Sequence, residues 1–262
     1  MNIKFMAKTV KVLIFLAAIA LAGYYLYKNT ESFKNVMRTE EKTDALQISN
    51  KRKIKADGKE YVYDWIQISN LENLFLFPNF KEKYTLNEAV NNYACKNLTS
   101  GGFYTETHSP IGLFISKVGR LSDEVSNKLF NGYFTLTKNG AAAISRNYLG
   151  EPVRIGLQAG PILLYNGAIE ELGLTSDKMA RRNIVALTKE GEIYFITIYD
   201  KESVFIGPLL TNLPELIINI QNEIGVEFDS ALNLDGGSAS AFYTQNIQLS
   251  ELTPVGSFFC EK

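Results

Sequence analysis

From residue 61 to the C-terminus the sequence is a succession of short apolar runs cut by tight-turn residues, which constrains the fold more than any other feature. Residues 61–68, Tyr-Val-Tyr-Asp-Trp-Ile-Gln-Ile, read as a strand, and residues 74–77 form another that stops at Pro78. Residues 111–116 turn at Val118-Gly119, and residues 133–137 turn at Asn139-Gly140, the strongest hairpin signal in the chain. Residues 184–187 and 192–199 flank Lys189-Glu190-Gly191; the second run is apolar on both faces, as an internal strand would be. Two helices interrupt this pattern. Thr85-Leu86-Asn87-Glu88 is a capping box that opens a helix with Leu86, Ala89, Val90 and Tyr93 on one face. Pro214 at a first turn, Leu216, Ile217, Ile220 and Ile224 at helical spacing, and Gly225 at the end define the other. The expectation is an α+β domain, β-rich, with a few helices packed on one sheet face.

The N-terminus is of another kind. Lys4, Lys8 and Lys11 precede an uncharged apolar run over residues 12–27. A membrane span takes roughly 17–25 residues, a length reached from residue 9 if Lys11 snorkels. Tyr24, Tyr25 and Tyr27 then form an interfacial belt, with everything downstream outside the cytoplasm. Ala20-Leu21-Ala22 also suits signal cleavage, so a secreted or periplasmic product is the alternative to a membrane-anchored one. The sequence divides into an anchor or signal segment at 1–28, a polar tether at 29–54 and a folded domain at 55–262. A net charge of −1, with only Lys51, Arg52, Lys53 and Lys55 as a basic cluster, disfavours nucleic acid as a partner. Cys95 and Cys260 are the only cysteines; their pairing stays open at this stage, and no Cys/His metal spacing exists.

Residues 231–243, Ala-Leu-Asn-Leu-Asp-Gly-Gly-Ser-Ala-Ser-Ala-Phe-Tyr, carry the chemistry. Leu232 and Leu234 alternate like a strand with a buried face, which puts Asp235 at the strand's end. Gly236 and Gly237 let a ligand approach the main chain, and their N–H groups suit an anion-binding nest. Ser238 and Ser240 add hydroxyls. A plain Asp-Gly turn is the bland alternative. The run of small hydroxylated residues beyond it favours a polar ligand.

Ser100-Gly101-Gly102-Phe103-Tyr104 echoes that glycine pair and is followed by Glu106 and the lone His108. An exposed loop histidine is the ordinary reading, but beside a glycine-rich loop His108 gains weight as a phosphate donor or general acid. Gln158-Ala159-Gly160-Pro161 offers an amide contact at Gln158, although a turn alone explains Gly-Pro. Arg181-Arg182-Asn183 stands at a strand entrance, as a solvated surface or an oxyanion clamp. Asp200 ends the internal strand as a possible second carboxylate or as a turn cap.

Taken in order, these segments resemble the phosphodiester glycosidase family. The family pattern is Asn-Gly-Gly-Phe-Phe, Pro-Ile-Gly, Gln-Ala-Gly-Pro, Arg-Thr before a strand, and Leu-Asp-Gly-Gly-Gly-Ser-Ser. Its counterparts here are residues 100–104, Pro110-Ile111-Gly112, residues 158–161, Arg182-Asn183 and residues 234–240. Ser100 stands for the usual Asn, Ser238 for a third glycine and Ala239 for the first serine; the acidic residue after the aromatic pair falls on Thr105, with Glu106 next to it. The resemblance implies hydrolysis of a sugar phosphodiester to the sugar and a phosphomonoester. It implies catalytic work for Asp235, with His108 and Glu106 as candidates beside it, and substrate binding by Ser100, Gly101, Gly102, Gln158, Arg182, Gly236, Gly237 and Ser240. No cofactor is expected, and a divalent cation at Asp235 stays open. A non-catalytic module for glycan phosphates and an envelope polysaccharide assembly component are the alternative functions.

Overall fold

The computed structural model describes residues 52–262 apart from residues 149 and 151. The anchor or signal segment and the tether up to residue 51 lie outside the described residues. Among the described residues no helix is long and apolar enough to cross a membrane. The folded part opens earlier than composition indicated. Arg52–Ala56 is an edge strand paired with Lys59–Gln67, because Ile54 supplies a buried side chain between exposed lysines.

Where one sheet was expected there are three, all antiparallel. The largest runs in spatial order Arg52–Ala56, Lys59–Gln67, Ile193–Asp200, Arg182–Thr188, Phe228–Asn233, Ile162–Tyr165 and Ala168–Ile169. Ile193–Asp200 is internal, as its two-sided apolarity requires: Phe195 and Tyr199 face one side, Ile196 and Ile198 the other. The second sheet runs Gln248–Leu249, Phe242–Tyr243, Asn97–Ser100, Ser257–Glu261 and Leu74–Pro78. The third runs Gly119–Ser122, Phe114–Ser116, Val153–Ala159, Gly132–Thr137 and Ala142–Ser145, and contains the Asn139-Gly140 hairpin.

The main core fills the space between the three sheets, with Val185, Phe195 and Leu232 meeting Leu76 and Phe259 of the second sheet and Phe134 and Leu157 of the third. The helix Leu213–Ile224 covers the opposite face of the large sheet. Pro214 sits in its first turn, and Gly225 ends it in the left-handed region (φ 71°) with its N–H on the Gln221 carbonyl. Its fully buried Leu213, Leu216, Ile217 and Ile220 each contribute about 2 kcal/mol of apolar transfer. The helix Leu86–Tyr93 packs on the second sheet instead, so the helices do not share one face. Its capping box forms as the sequence requires: the Glu88 N–H donates to Thr85 Oγ1 at 3.4 Å, and the Thr85 N–H to Glu88 Oε2 at 2.8 Å. Just past this helix Cys95 forms a disulfide with Cys260 of the Ser257–Glu261 strand across 165 residues of sequence.

Candidate active site

The strand Phe228–Asn233 delivers Asp235 to the end of the large sheet, where the second sheet meets it. Two contacts of its own main chain and one of Leu234 fix the residue. Its N–H donates to the Gly101 carbonyl at 2.9 Å, its carbonyl accepts from Ser100 Oγ at 3.0 Å, and the Leu234 N–H donates to the Asn183 carbonyl at 2.8 Å. Ser100 Oγ in turn accepts from Asn183 Nδ2 at 2.6 Å. Ser100 and Asn183, both fully buried, therefore form a post beneath Asp235.

The Asp235 side chain is 9% exposed, and among the described residues the Gly236 N–H is the one donor to its carboxyl, at 3.0 Å. Burial pushes the carboxyl up to about 8, and the Gly236 hydrogen bond only partly opposes that shift. At neutral pH the group is a carboxylic acid. It can therefore donate a hydrogen bond to an anion without repelling it.

The aromatic wall of the site is Tyr104. Burial raises its phenol, and the Asp235 charge raises it further. Its hydroxyl donates to the Pro254 carbonyl at 2.5 Å, and its ring stacks on His108 with centroids 5.6 Å apart. His108 takes φ 56° in a tight loop closed by the Thr105 N–H on the Ser109 carbonyl. Glu106 is exposed on the same loop. Asp235, Tyr104 and His108 thus follow one another from the buried turn to the surface.

The glycines serve this arrangement by letting chains approach closely. Gly101 donates to the Ser257 carbonyl and Gly102 to Ser257 Oγ, and a side chain at Gly101 would meet that hydroxyl at 2.6 Å. Gly236 donates to Asp235 itself and Gly237 to the Arg181 carbonyl at 2.8 Å. All four amides have partners within the protein, so the anion nest expected at these glycines is replaced by internal bracing.

Arg182 and Gln158 direct their polar groups to partners within the protein. Arg182 lies on the face of its strand that carries Ile184 and Ala186, the face under the Leu213–Ile224 helix. It ion-pairs with Asp177 at 3.3 Å and donates to the Pro208 and Lys178 carbonyls. Gln158 is buried, and its amide is fully used: Oε1 accepts from the Leu113 and Val125 N–H groups, and Nε2 donates to the Val125 and Phe130 carbonyls. Asp200 caps a turn by accepting from the Glu202 N–H at 2.8 Å. Ser240 is buried between Arg181 and the Gly237 carbonyl.

Arg181, which the sequence offered beside Arg182 as surface or clamp and which the family pattern left aside, is neither. It is fully buried, donates from Nε to Ser240 Oγ at 2.6 Å, and reaches the Ser240, Ser250 and Val204 carbonyls with its other nitrogens. Burial lowers its guanidinium to about 10, a shift that the Glu251 charge opposes. It remains a cation at neutral pH. Strand parity carried the signal: Arg181 and Asn183 alternate with Val185 and Leu187 toward the inter-sheet core, Arg182 with the helix face. Among the described residues no three His, Cys, Asp or Glu side chains gather as metal ligands do.

Fold and geometry together describe a β-rich protein in which a buried carboxyl, pushed up to about 8, stands at a glycine turn. The family model described as phosphodiester glycosidase matches residues 93–259, well over half of the chain, and the chain belongs to that family. Phosphodiester glycosidases are hydrolases. Its fold is similar to that of the zebrafish N-acetylglucosamine-1-phosphodiester alpha-N-acetylglucosaminidase catalytic domain auto-inhibited by its pro-peptide, with a TM-score of 0.62 and 16% identity over 80% of this chain and 81% of that one. A hypothetical protein from Synechocystis matches with a TM-score of 0.53 and 13% identity over 80% of this chain and 61% of the other. No curated protein sequence matches the chain.

Proposed function

We propose that this chain hydrolyses a glycosyl phosphodiester outside the cytoplasm, with Asp235 as the acid. The observation that carries the reading is the Asp235 carboxyl, raised to about 8 by burial at the Asp-Gly-Gly turn, within the residues that the family model matches. The neutral acid hydrogen-bonds a phosphate oxygen of the incoming anion. As the bond between the anomeric carbon and the bridging oxygen breaks, Asp235 gives its proton to that oxygen. Water adds to the anomeric carbon, and the products are the free sugar and a phosphomonoester. His108, on the rim against Tyr104, holds the phosphate, and Glu106 on the same loop receives the proton of the attacking water.

The apolar run at residues 12–27 supports export with the chain kept as a membrane anchor, residues 29–51 as tether and the domain from Arg52 onward outside the cytoplasm. The disulfide supports the same compartment, since such bonds persist where the surroundings are oxidising. A glycosyl phosphodiester of the cell envelope is then the substrate within reach.

The test is phosphorus NMR of the full chain with an N-acetylglucosamine 1-phosphodiester, a sugar chosen for the substrate in the name of the zebrafish relative. Conversion of diester to monoester by the wild type and its loss in Asp235→Asn is the expected result. Undiminished turnover in Asp235→Asn overturns the acid role. Binding of the diester by the wild type without any product would instead make the chain a glycan-phosphate-binding module.

A further inference from the structure

Among the described residues, four of the eight large apolar side chains left exposed fall within twelve positions: Val118, Leu121, Val125 and Leu129. Scattered surface apolar residues need no explanation, but a cluster does. This one is not a frayed loop. The buried Gln158 amide holds the backbone of Val125 and Phe130, and Asn127 Oδ1 accepts from the Leu129 and Phe130 N–H groups at 2.7 and 3.2 Å. The segment is fastened at both ends while Val125 and Leu129 remain 40% and 37% exposed.

The cluster also borders the site. The Phe130 ring lies 4.6 Å from that of Phe103, centroid to centroid, and Phe103 directly follows the Gly101-Gly102 pair that holds Asp235. The Leu129 carbonyl occupies the space where a side chain at Gly160 would project, so the segment is seated against the Gln158–Pro161 turn. Phe103 thus brings the cluster, an apolar shelf, to within two residues of Gly101, whose carbonyl accepts the Asp235 N–H.

We infer that Val125, Leu129, Phe103 and Phe130 form an aglycone subsite for an aliphatic chain, which makes the substrate a lipid-linked glycosyl phosphodiester. This rests on the proposed hydrolase function and names its substrate class. An aliphatic chain is the fitting occupant because the shelf is continuous with the site and fixed in place. The apolar run at residues 12–27 would also hold the chain at a bilayer, where lipid-linked sugars reside. Hydrolysis breaks the bond between the anomeric carbon and oxygen as before, and the lipid departs as its phosphomonoester.

The experiment compares kcat/KM of the full chain for the octyl and methyl diesters of N-acetylglucosamine 1-phosphate. The expected result is at least a tenfold preference for the octyl diester in the wild type. In Val125→Ser/Leu129→Ser that preference falls to within twofold, and in Ile169→Ser, which alters an exposed apolar side chain outside the 118–129 cluster, it is kept. Equal values for both diesters in the wild type, or a preference undiminished in the double variant, overturn the subsite. Self-association lost in the double variant, with no octyl preference, assigns the shelf to a second copy and also overturns it. Should neither diester turn over, the hydrolase function fails separately, and the subsite is read by amide exchange. Protection of residues 125–130 by octyl phosphate and not by methyl phosphate supports it, and equal protection by both rejects it.

Discussion

Arg181 Nε donates to Ser240 Oγ at 2.6 Å, while the carbonyl of the same arginine accepts from the Gly237 N–H at 2.8 Å. One residue thus grips the Asp235 turn from both sides, by side chain and by main chain. Because the guanidinium is fully buried and its partners are carbonyls and a hydroxyl, its removal leaves several acceptors without donors. Arg181→Ala is expected to cost about 3 kcal/mol or more in urea unfolding. Arg181→Lys should recover only part of that loss, since an ammonium cannot span the same fork. Arg182→Gln, which breaks the Asp177 pair away from the turn, is expected to leave KM for the diester within twofold of wild type.

The raised Asp235 carboxyl has a cost in stability whose sign is definite. Its value is about 8 in the folded protein against an ordinary 3.8, so between those limits the folded state holds a proton that the unfolded state releases. Stability therefore falls as pH rises from about 4 to about 8. Asp235→Asn lacks that term and keeps an oxygen for the Gly236 N–H. Thermal melts should show a gain in Tm for the variant that is small near pH 4 and widest at pH 8. A gain that does not change with pH would mean the carboxyl is not protonated in the fold.

The same titration governs turnover. If the protonated carboxyl is the acid, kcat/KM falls as pH rises through about 8, the value set by burial. A profile that instead rises through that pH would make the ionised form the active one and turn Asp235 into a base. Tyr104→Phe removes the hydroxyl held by the Pro254 carbonyl but keeps the ring beneath His108, and is expected to change kcat by less than tenfold.

Loss of the Cys95–Cys260 bond releases a closure of 165 residues, for which the chain-entropy account gives roughly 5 kcal/mol. The bond joins the end of the Leu86–Tyr93 helix to the Ser257–Glu261 strand, which pairs with the Asn97–Ser100 strand leading to Gly101. Unfolding in urea with and without a thiol reductant should show a matching drop in midpoint. Activity at zero denaturant should fall less than stability, because Ser100 and Asn183 bond to each other and to the Asp235 turn without touching either cysteine.

Much of the fold was legible because it is locally encoded. The capping box at Thr85, the Asn139-Gly140 hairpin and the helix between Pro214 and Gly225 are each set by residues within one or two turns of chain. The two-sided apolarity of Ile193–Asp200 placed it inside a sheet. The number of sheets was not legible, since pairing such as Ser100 with Phe258 spans most of the chain. At the site, Asp235 stood out by its place at a strand end. Gln158 and the glycine amides drew attention for their chemistry, and the structure uses their polar groups on protein partners that no local pattern names. The choice between Arg181 and Arg182 was open to parity, because Val185 and Leu187 share a face with the former and Ile184 and Ala186 with the latter.

The two glycines after Asp235 are needed for different physical reasons, and separate substitutions should reveal it. At Gly236 the backbone is extended (φ −132°), a conformation open to any residue, but an added Cβ would stand 2.6 Å from the Arg181 carbonyl oxygen. That neighbour is main chain, tied to the Gly237 N–H, and cannot yield without moving the turn. At Gly237 the nearest atom to a Cβ is Ala180 Cβ at 3.7 Å, an ordinary contact, and the obstacle is φ 65°. A left-handed alanine costs about 1–2 kcal/mol. Gly237→Ala is therefore expected to lose about that much stability and to retain measurable turnover, whereas Gly236→Ala displaces Asp235 and abolishes turnover. Gly237→Asn sharpens the test, because asparagine tolerates the left-handed region, and should recover most of the alanine loss in thermal melts. Equal damage from Gly236→Ala and Gly237→Ala would mean that the turn fails as a unit and that close approach to Arg181 is not what Gly236 provides.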